Sequence, residues 1–187
     1  MTDLTPLLPR QPVPALNLPL AGGGTFDLAA EKPDQFAFVV FYRGLHCPIC
    51  KTQLKDLEAK LPDFAKRGVT VVAASSDDRA RAEATKEEWG LPNLRLAYGL
   101  DLVTARAWGL YASTGRGKTS AGVDEPALFS EPAIYLIRPD GALYFGSVQT
   151  MPFARPQFAE ILAAIDFVVA KGYPARGEVA HLPRAAA

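Results

Sequence analysis

The stretch FAFVVFYRGLHCPICKTQLKDLE, residues 36–58, joins an apolar segment to an amphipathic one through a pair of cysteines. Residues 36–42 are apolar at every position, which is typical of a strand buried on both faces in the middle of a parallel sheet. Pro48 suits the first turn of a helix, and the leucines and the phenylalanine that follow recur every three or four residues. We therefore predict a central strand, a turn and a core-facing helix.

Two residues mark the expected end of this helix. Pro62 lacks a backbone donor and crowds the preceding turn, so it predicts a kink or a restart. Gly68 predicts the end, and an apolar strand follows it. Ser75, Ser76 or Asp77 is then expected to cap a charged helix that stops at Gly90. The remaining elements are predicted as strands at 69–74, 94–98, 134–137 and 142–148, a short helix at 101–108 and a closing helix at 158–169.

Composition excludes several classes of protein. The chain has 20 Lys and Arg against 20 Asp and Glu, so no positive field draws it to nucleic acid or anionic lipid. Its longest apolar stretch, residues 36–42, is far shorter than the roughly 20 residues of a membrane helix. The proline-rich N-terminus does not have the pattern of a signal peptide. We expect a cytoplasmic protein with no nucleic-acid partner and no membrane partner.

The proline-rich ends predict the domain organisation. A length of 187 residues suits one compact domain. We expect that domain to include the whole chain, 1–187, with extended tails at about 1–12 and 173–187. The second tail is predicted to be loosely packed. Residues 113–126 are rich in glycine and polar side chains, and we expect a mobile surface loop that could cover the cysteine site.

Cys47 and Cys50 are the only cysteines, and they fall between a buried strand and a helix. A structural pair of inert thiols is one interpretation, and a zinc site is another, although the second pair of ligands is missing. A redox dithiol is the interpretation we favour, because two residues three apart on a helix can form a disulfide. No metal or organic cofactor is required by the sequence.

The position of the pair predicts different roles for the two sulfur atoms. Cys47 should lie at the helix N-cap, where free backbone N–H groups and the helix dipole favour a thiolate. Cys47 is then the nucleophile. Cys50, one turn further into the helix, is the resolving cysteine, which forms the disulfide with the oxidised Cys47. Arg43 and His46 would lower the Cys47 pKa further if their side chains turned toward the sulfur as cations.

The segment FYRGLHCPICKTQLKDLE, residues 41–58, resembles the AhpC/TSA (alkyl hydroperoxide reductase and thiol-specific antioxidant) family of peroxiredoxin-like proteins in the thioredoxin superfamily. VPALNLPLAGGGTFDLA is similar to that family's N-terminal hairpin, GVTVVAASSD to its second central strand, and SEPAIYLIRPDGAL to the strand and turn after the cis-proline loop. The resemblance covers roughly residues 13–170. It implies a thioredoxin fold, a three-layer α/β/α arrangement with a mixed central sheet and an N-terminal extension.

The resemblance also implies a site and an activity. It places Cys47 at the attacking position, Cys50 at the second thiol and Pro132 at the cis-proline that faces the sulfur atoms. The implied function is a thiol peroxidase that reduces hydroperoxides and is recycled by a thioredoxin-, glutaredoxin- or glutathione-type reductant. Relatives commonly form dimers, so a homodimer is expected. A protein disulfide reductase and a non-catalytic redox-sensing module remain alternatives.

Some positions depart from the family's pattern. Typical members carry a Pro, a Thr and an Arg that hold and polarise the peroxide, and these positions read Val40, Gly44 and Pro132 here. We hypothesise that Arg43 substitutes for the missing arginine. Phe41 stands where many thioredoxins have an acidic residue, so proton transfer to Cys50 must use another group or water.

Overall fold

The central strand predicted from the apolar run organises the sheet. The computed structural model describes residues 4–181. Its central sheet contains β3 (Phe36–Phe41), β4 (Val69–Ala74), β5 (Leu96–Ala97), β8 (Ala133–Ile137) and β9 (Leu143–Val148). Every residue of β3 is buried. β3 pairs in parallel with β4 and antiparallel with β8, and the strand order is β5-β4-β3-β8-β9. The central sheet is therefore mixed, as expected.

Helices and short strands cover both faces of this sheet. Alternate residues of β3 point to opposite faces, so Phe38 belongs to one buried cluster and Val39 to the other. One face packs against α1 (Pro48–Lys66), α2 (Arg79–Glu88) and α4 (Phe158–Lys171). The other packs against α3 (Leu102–Ala107) and the hairpin of β1 (Asn17–Pro19) and β2 (Thr25–Asp27). The layers are those of a thioredoxin fold with an N-terminal hairpin.

Two details of the predicted helices differ from the structure. α1 runs from Pro48 to Lys66 without a break at Pro62, so the predicted restart is wrong. Pro62 lies on the exposed side of α1, and the helix continues through it. The cap of α2 is Asp78, whose side chain accepts from the Arg81 N–H at 2.9 Å. Asp77, one of the predicted caps, has another role.

The segment predicted as a mobile loop, residues 113–126, begins within one short strand and ends just before the strand that pairs with it. β6 (Ala112–Thr114) and β7 (Leu128–Ser130) form an antiparallel hairpin beside the central sheet. The register places Ala112 opposite Ser130. We call residues 112–130 the side hairpin, and its returning arm carries Glu125, which pairs with Arg43 of the turn before the cysteines.

The segment after α4 packs more closely than the sequence predicted. The Arg10 guanidinium donates to the Ala175 carbonyl at 2.8 and 3.0 Å, and Ala175 is only 3% exposed. The Arg10 N–H also pairs with Leu143 O of β9 at 2.8 Å. The first and last parts of the described chain therefore hold each other against the sheet, whereas residues 182–187 of the predicted tail lie outside the described residues.

Within residues 4–181, no α-helix combines the length and the apolar character needed to cross a membrane.

Candidate active site

Cys47 is the N-cap residue of α1, as the sequence predicted. Its Sγ accepts a hydrogen bond from the Cys50 N–H at 3.3 Å, and its own N–H donates to Gly44 O at 3.1 Å. Pro48 follows at the first helical position, where its missing N–H has no intrahelical acceptor to lose. The tight turn at residues 44–47 therefore delivers the sulfur to the free N–H groups of the helix.

Cys50 lies one turn further in, and its sulfur is completely buried. The Sγ accepts from the Arg43 N–H at 3.4 Å. Both cysteines are free, and they come within 2.8 Å of each other. Cys47 is 1% and Cys50 0% exposed, so the dithiol lies beneath the surface.

The side chain of Arg155 contacts both sulfur atoms, and no sequence pattern predicted this residue at the site. It lies between β9 and α4, and its Nη2 donates to Cys50 Sγ at 3.3 Å and to Cys47 Sγ at 3.7 Å. Its Nη1 donates to Gln53 Oε1 at 2.6 Å, and its Nε donates to Pro152 O at 2.9 Å. All three guanidinium nitrogens therefore have partners, and Nη2 is the nitrogen that contacts the two sulfur atoms.

These contacts separate the acidities of the two thiols. The Cys47 pKa is lowered to about 6, first by a hydrogen bond from the Cys50 side chain and then by the Cys50 N–H and the charges of Arg155 and Arg43, against the opposing effect of burial. Burial raises the Cys50 pKa, and the adjacent Cys47 sulfur raises it further. A thiolate at Cys47 beside a thiol at Cys50 follows from this arrangement.

The Arg43 side chain turns away from the sulfur atoms, although its backbone N–H binds Cys50. Its Nη2 donates to Glu125 at 3.1 Å, its Nε lies 3.3 Å from Glu131, and its guanidinium stacks 4.7 Å from the Phe129 ring. Arg43 therefore ties the cysteine-bearing turn to the side hairpin. Of the two arginines, Arg155 and not Arg43 donates from its side chain to the sulfur atoms.

His46 is buried and neutral. Its ring packs on Phe129 with centroids 4.7 Å apart, and its Nδ1 lies 3.5 Å from Arg81 Nη2. Burial lowers the His46 pKa to about 4, and the positive charge of Arg43 adds to this effect. The ring is therefore uncharged at neutral pH and adds no positive charge beside Cys47.

The prediction of a cis-proline at Pro132 is also wrong. All peptide bonds in the described part of the chain are trans. The residues around Pro132 keep their backbone pairing, since the Glu131 N–H donates to Tyr111 O at 2.8 Å and Pro132 O accepts from the Gln149 N–H at 2.9 Å. This pairing holds the chain extended from β7 into β8.

Asp77 supports the cysteine-bearing turn from below. Its Oδ2 accepts from the Leu45 N–H at 2.7 Å, and its Oδ1 accepts from Arg81 Nε at 2.9 Å. Gly44 has a φ of +135°, and a Cβ there would lie 2.6 Å from Asp77 Oδ1. Burial raises the Asp77 pKa, against the Leu45 N–H and Arg81, which lower it. The turn therefore needs glycine at position 44 and a carboxylate at position 77.

A cleft of about 370 Å³ lies beside Arg155. One wall is a face of α1 and the other is the segment that leads into α4. Phe153, on the outer rim, is 75% exposed. The cleft is lined by Ile49, Thr52, Gln53, Asp56, Phe153, Arg155, Pro156, Gln157 and Phe158.

The chain resembles known proteins both in sequence pattern and in fold. The AhpC/TSA family model matches residues 9–145. No curated protein matches the chain by sequence.

Among solved structures, similar folds include the reduced 2-Cys peroxiredoxin of Plasmodium vivax (17% identity, 95% of this chain and 92% of that one, TM-score 0.71). The peroxidoxin BcpB of Mycobacterium tuberculosis (17% identity, 87% and 98%, TM-score 0.67) and the thiol peroxidase of Chromobacterium violaceum (14% identity, 90% and 89%, TM-score 0.63) are also similar. At sequence identities this low, the structural similarity is evidence for the fold alone. Together with the family match, it shows that the chain belongs to the AhpC/TSA family of thiol-dependent oxidoreductases.

Proposed function

We propose that this chain is a thiol peroxidase in which Cys47 attacks a hydroperoxide, Cys50 resolves the product, and an external thiol restores the dithiol. The observation that carries the proposal is the Arg155 guanidinium shared by both sulfur atoms, at 3.3 Å from Cys50 and 3.7 Å from Cys47. A cation and a helix N-terminus both favour a thiolate at Cys47. The attacking group is thus prepared before the substrate arrives.

In the first step, the Cys47 thiolate attacks the terminal oxygen of the hydroperoxide. An S–O bond forms while the O–O bond breaks, so Cys47 is oxidised to a sulfenic acid and the peroxide is reduced. The leaving alkoxide or hydroxide takes a proton from water and departs as alcohol or water. Negative charge grows on that oxygen, and Arg155 is the guanidinium in hydrogen-bond contact with the attacking sulfur.

In the second step, the Cys50 sulfur attacks the Cys47 sulfenic acid. A disulfide forms and water leaves, with the Cys50 proton passing to the departing hydroxide. The cysteines already lie within 2.8 Å of each other, so α1 need not unfold for this bond to form. Two electrons from an external thiol then reduce the disulfide and complete the cycle.

The depth of the sulfur atoms favours a peroxide over a protein disulfide as substrate. A protein disulfide reductase must bring its attacking sulfur to a sulfur on another protein's surface, and here that atom belongs to a residue that is 1% exposed. A hydroperoxide is a small molecule, and its reaction needs no contact between two protein surfaces.

The family also supports a homodimer as part of this proposal. Light scattering on the purified chain tests it, and a monomer at micromolar concentration would contradict it.

The proposal is tested by following hydrogen peroxide consumption with dithiothreitol as an artificial reductant. We expect repeated turnover by the wild type and none by Cys47→Ser. Cys50→Ser should still react once with peroxide, but mass spectrometry should find no intramolecular disulfide. Insulin reduction by the wild type without peroxide turnover would overturn the proposal in favour of a disulfide reductase. Stoichiometric oxidation without turnover would overturn it in favour of a sensor.

A further inference from the structure

The cleft beside Arg155 is lined by the residue whose guanidinium contacts both sulfur atoms, and its other lining side chains have the chemistry of a ligand site. We propose that this cleft binds the reductant, and that the reductant is a small zwitterionic peptide thiol, for which glutathione is the probe, rather than a protein dithiol. The inference rests on the proposed function, since it names the thiol that restores Cys47 and Cys50.

Burial of the sulfur atoms argues for a small thiol. Cys47 is 1% and Cys50 0% exposed, and their proximity means that the disulfide would form in the same buried place. A thiolate must approach a disulfide sulfur directly to attack it. A globular protein carries its thiol on a broad surface, whereas a peptide-sized molecule fits into a cleft of about 370 Å³.

The lining argues for a peptide that carries both charges. Arg155 and Asp56 provide a cation and an anion on the same cleft, suited to a carboxylate and an ammonium. Thr52, Gln53 and Gln157 offer hydroxyl and amide groups that suit peptide N–H and C=O groups. A fatty-acid chain would bury these polar groups without partners, and hydrogen peroxide would leave most of the cleft unfilled.

The reaction balances with two molecules of the peptide thiol. The first, as a thiolate, attacks Cys47, forms a mixed disulfide and releases Cys50, which takes up a proton. The raised pKa of Cys50 makes it a poor leaving group, and Arg155, at 3.3 Å, stabilises the departing anion. The second thiolate attacks the peptide sulfur of the mixed disulfide and frees Cys47. The products are the reduced dithiol and the oxidised peptide disulfide.

The test uses the oxidised protein and compares two carboxylates of the same helix. Asp56 lies in the cleft and pairs with Lys60, whereas Asp63 lies outside it and pairs with Lys66. We expect the rate of reduction by glutathione to saturate with concentration. Asp56→Asn should raise the half-saturating concentration about threefold to fivefold, because exposed charge pairs are weak. Asp63→Asn should leave it unchanged.

Two further measurements separate binding from a structural effect. 2-Mercaptoethanol carries no charge, so it should reduce the wild type and Asp56→Asn equally and without saturation. Thr52→Trp, which fills the cleft, should slow reduction by glutathione at least tenfold, whereas Lys55→Trp, exposed on the same helix outside the cleft, should not.

The inference is overturned if reduced thioredoxin restores the dithiol faster than glutathione at equal thiol concentration. It is also overturned if the glutathione rate stays linear and the two asparagine variants behave alike. Failure of the proposed function is visible separately, because hydrogen peroxide would then either not form the disulfide or not be consumed repeatedly with dithiothreitol as reductant. Diamide oxidises the same dithiol without peroxide, so reduction can be measured in either case.

Discussion

The guanidinium of Arg155 lies 3.3 Å from Cys50 Sγ, although the two residues are 105 positions apart in the chain. The same nitrogen reaches Cys47 Sγ, which is 108 positions away. α1 presents the sulfur atoms and the segment before α4 presents the cation, so the chemistry of the dithiol depends on how two distant segments pack.

Replacing Arg155 should make Cys47 less acidic. The Cys47 pKa of about 6 is lowered first by the hydrogen bond from the Cys50 side chain, and the charge of Arg155, which Arg155→Gln removes, adds to that effect. If the pKa rises by about one unit, the thiolate fraction at pH 6 falls about fivefold. The pH profile of iodoacetamide alkylation measures this, and Arg155→Lys, which keeps the charge, is the control. An unchanged profile in Arg155→Gln would contradict the assigned role.

Short-range patterns were enough to place Cys47 but not to find Arg155. An apolar run followed by Pro48 and a regular apolar spacing predicts a strand, a turn and a helix from neighbouring residues alone. Arg155 lies in a segment without periodicity, and its contact with the sulfur atoms depends on tertiary packing. The family resemblance identified Pro132 as the matching proline, but it did not predict the conformation of its peptide bond. That conformation depends on the backbone hydrogen bonds that Glu131 and Pro132 make with neighbouring segments.

The role of Arg43 was predicted incompletely for the same reason. Its nearness to Cys47 in sequence suggested a contact with the sulfur, but the side chain pairs with Glu125 and Glu131. Both glutamates come from a part of the chain more than 80 residues away. Sequence proximity placed the Arg43 backbone at the site, and tertiary contacts determined where the guanidinium lies.

Removing Arg43 should destabilise the fold more than it changes reactivity. Arg43→Leu leaves two buried carboxylates without their cation, and breaking a buried pair in this way costs about 3–5 kcal/mol. Urea unfolding measures the loss. Arg67→Gln is the control, because the Arg67 pair with Asp166 is exposed and should contribute far less to stability. Equal losses in the two variants would show that the Arg43 cluster is not a buried pair.

His46 should make the protein less stable in acid. Burial lowers the His46 pKa from 6.5 to about 4, so the unfolded chain binds the proton first as the pH falls below 6.5. The stabilising effect of the neutral ring is complete above that pH and is lost as the pH falls toward 4. Between pH 7.5 and pH 5 this loss is about 2 kcal/mol.

A comparison of the wild type with His46→Phe isolates the contribution of His46 to the loss of stability in acid, because all other titrating groups are present in both proteins. Arg43, Glu125 and Arg81 all influence the His46 ring. The variant should lose less stability than the wild type between the two pH values, measured by urea unfolding. His181→Gln, at the other histidine, which is exposed, is the control and should behave like the wild type. An identical loss in wild type and His46→Phe would show that the ring is not held neutral.

Gly44→Ala should disturb the turn that carries Cys47. The new Cβ would lie 2.6 Å from Asp77 Oδ1, in a backbone with φ of +135°. Gly90→Ala is the matched control, because Gly90 has φ of +66° but no atom within 4 Å of its Cβ position. The conformational cost at Gly90 is about 1–2 kcal/mol, and overlap with Asp77 should add about 1–3 kcal/mol at Gly44. Urea unfolding compares the two, and equal losses would mean that Asp77 moves aside freely.

Cys50 should protect Cys47 from irreversible oxidation. A sulfenic acid at Cys47 meets the Cys50 sulfur within the folded site, since the cysteines lie within 2.8 Å of each other and no unfolding of α1 is needed. Disulfide formation should then outpace attack by a second peroxide, which would give the sulfinic acid. Under excess hydrogen peroxide, mass spectrometry should find the wild type as the disulfide and Cys50→Ser as the sulfinic acid. Cys47→Ser should remain unoxidised at Cys50, because burial raises the pKa of that thiol. Equal sulfinic acid in wild type and Cys50→Ser would mean that the two sulfur atoms separate during turnover, and the resolving role of Cys50 would have to be abandoned.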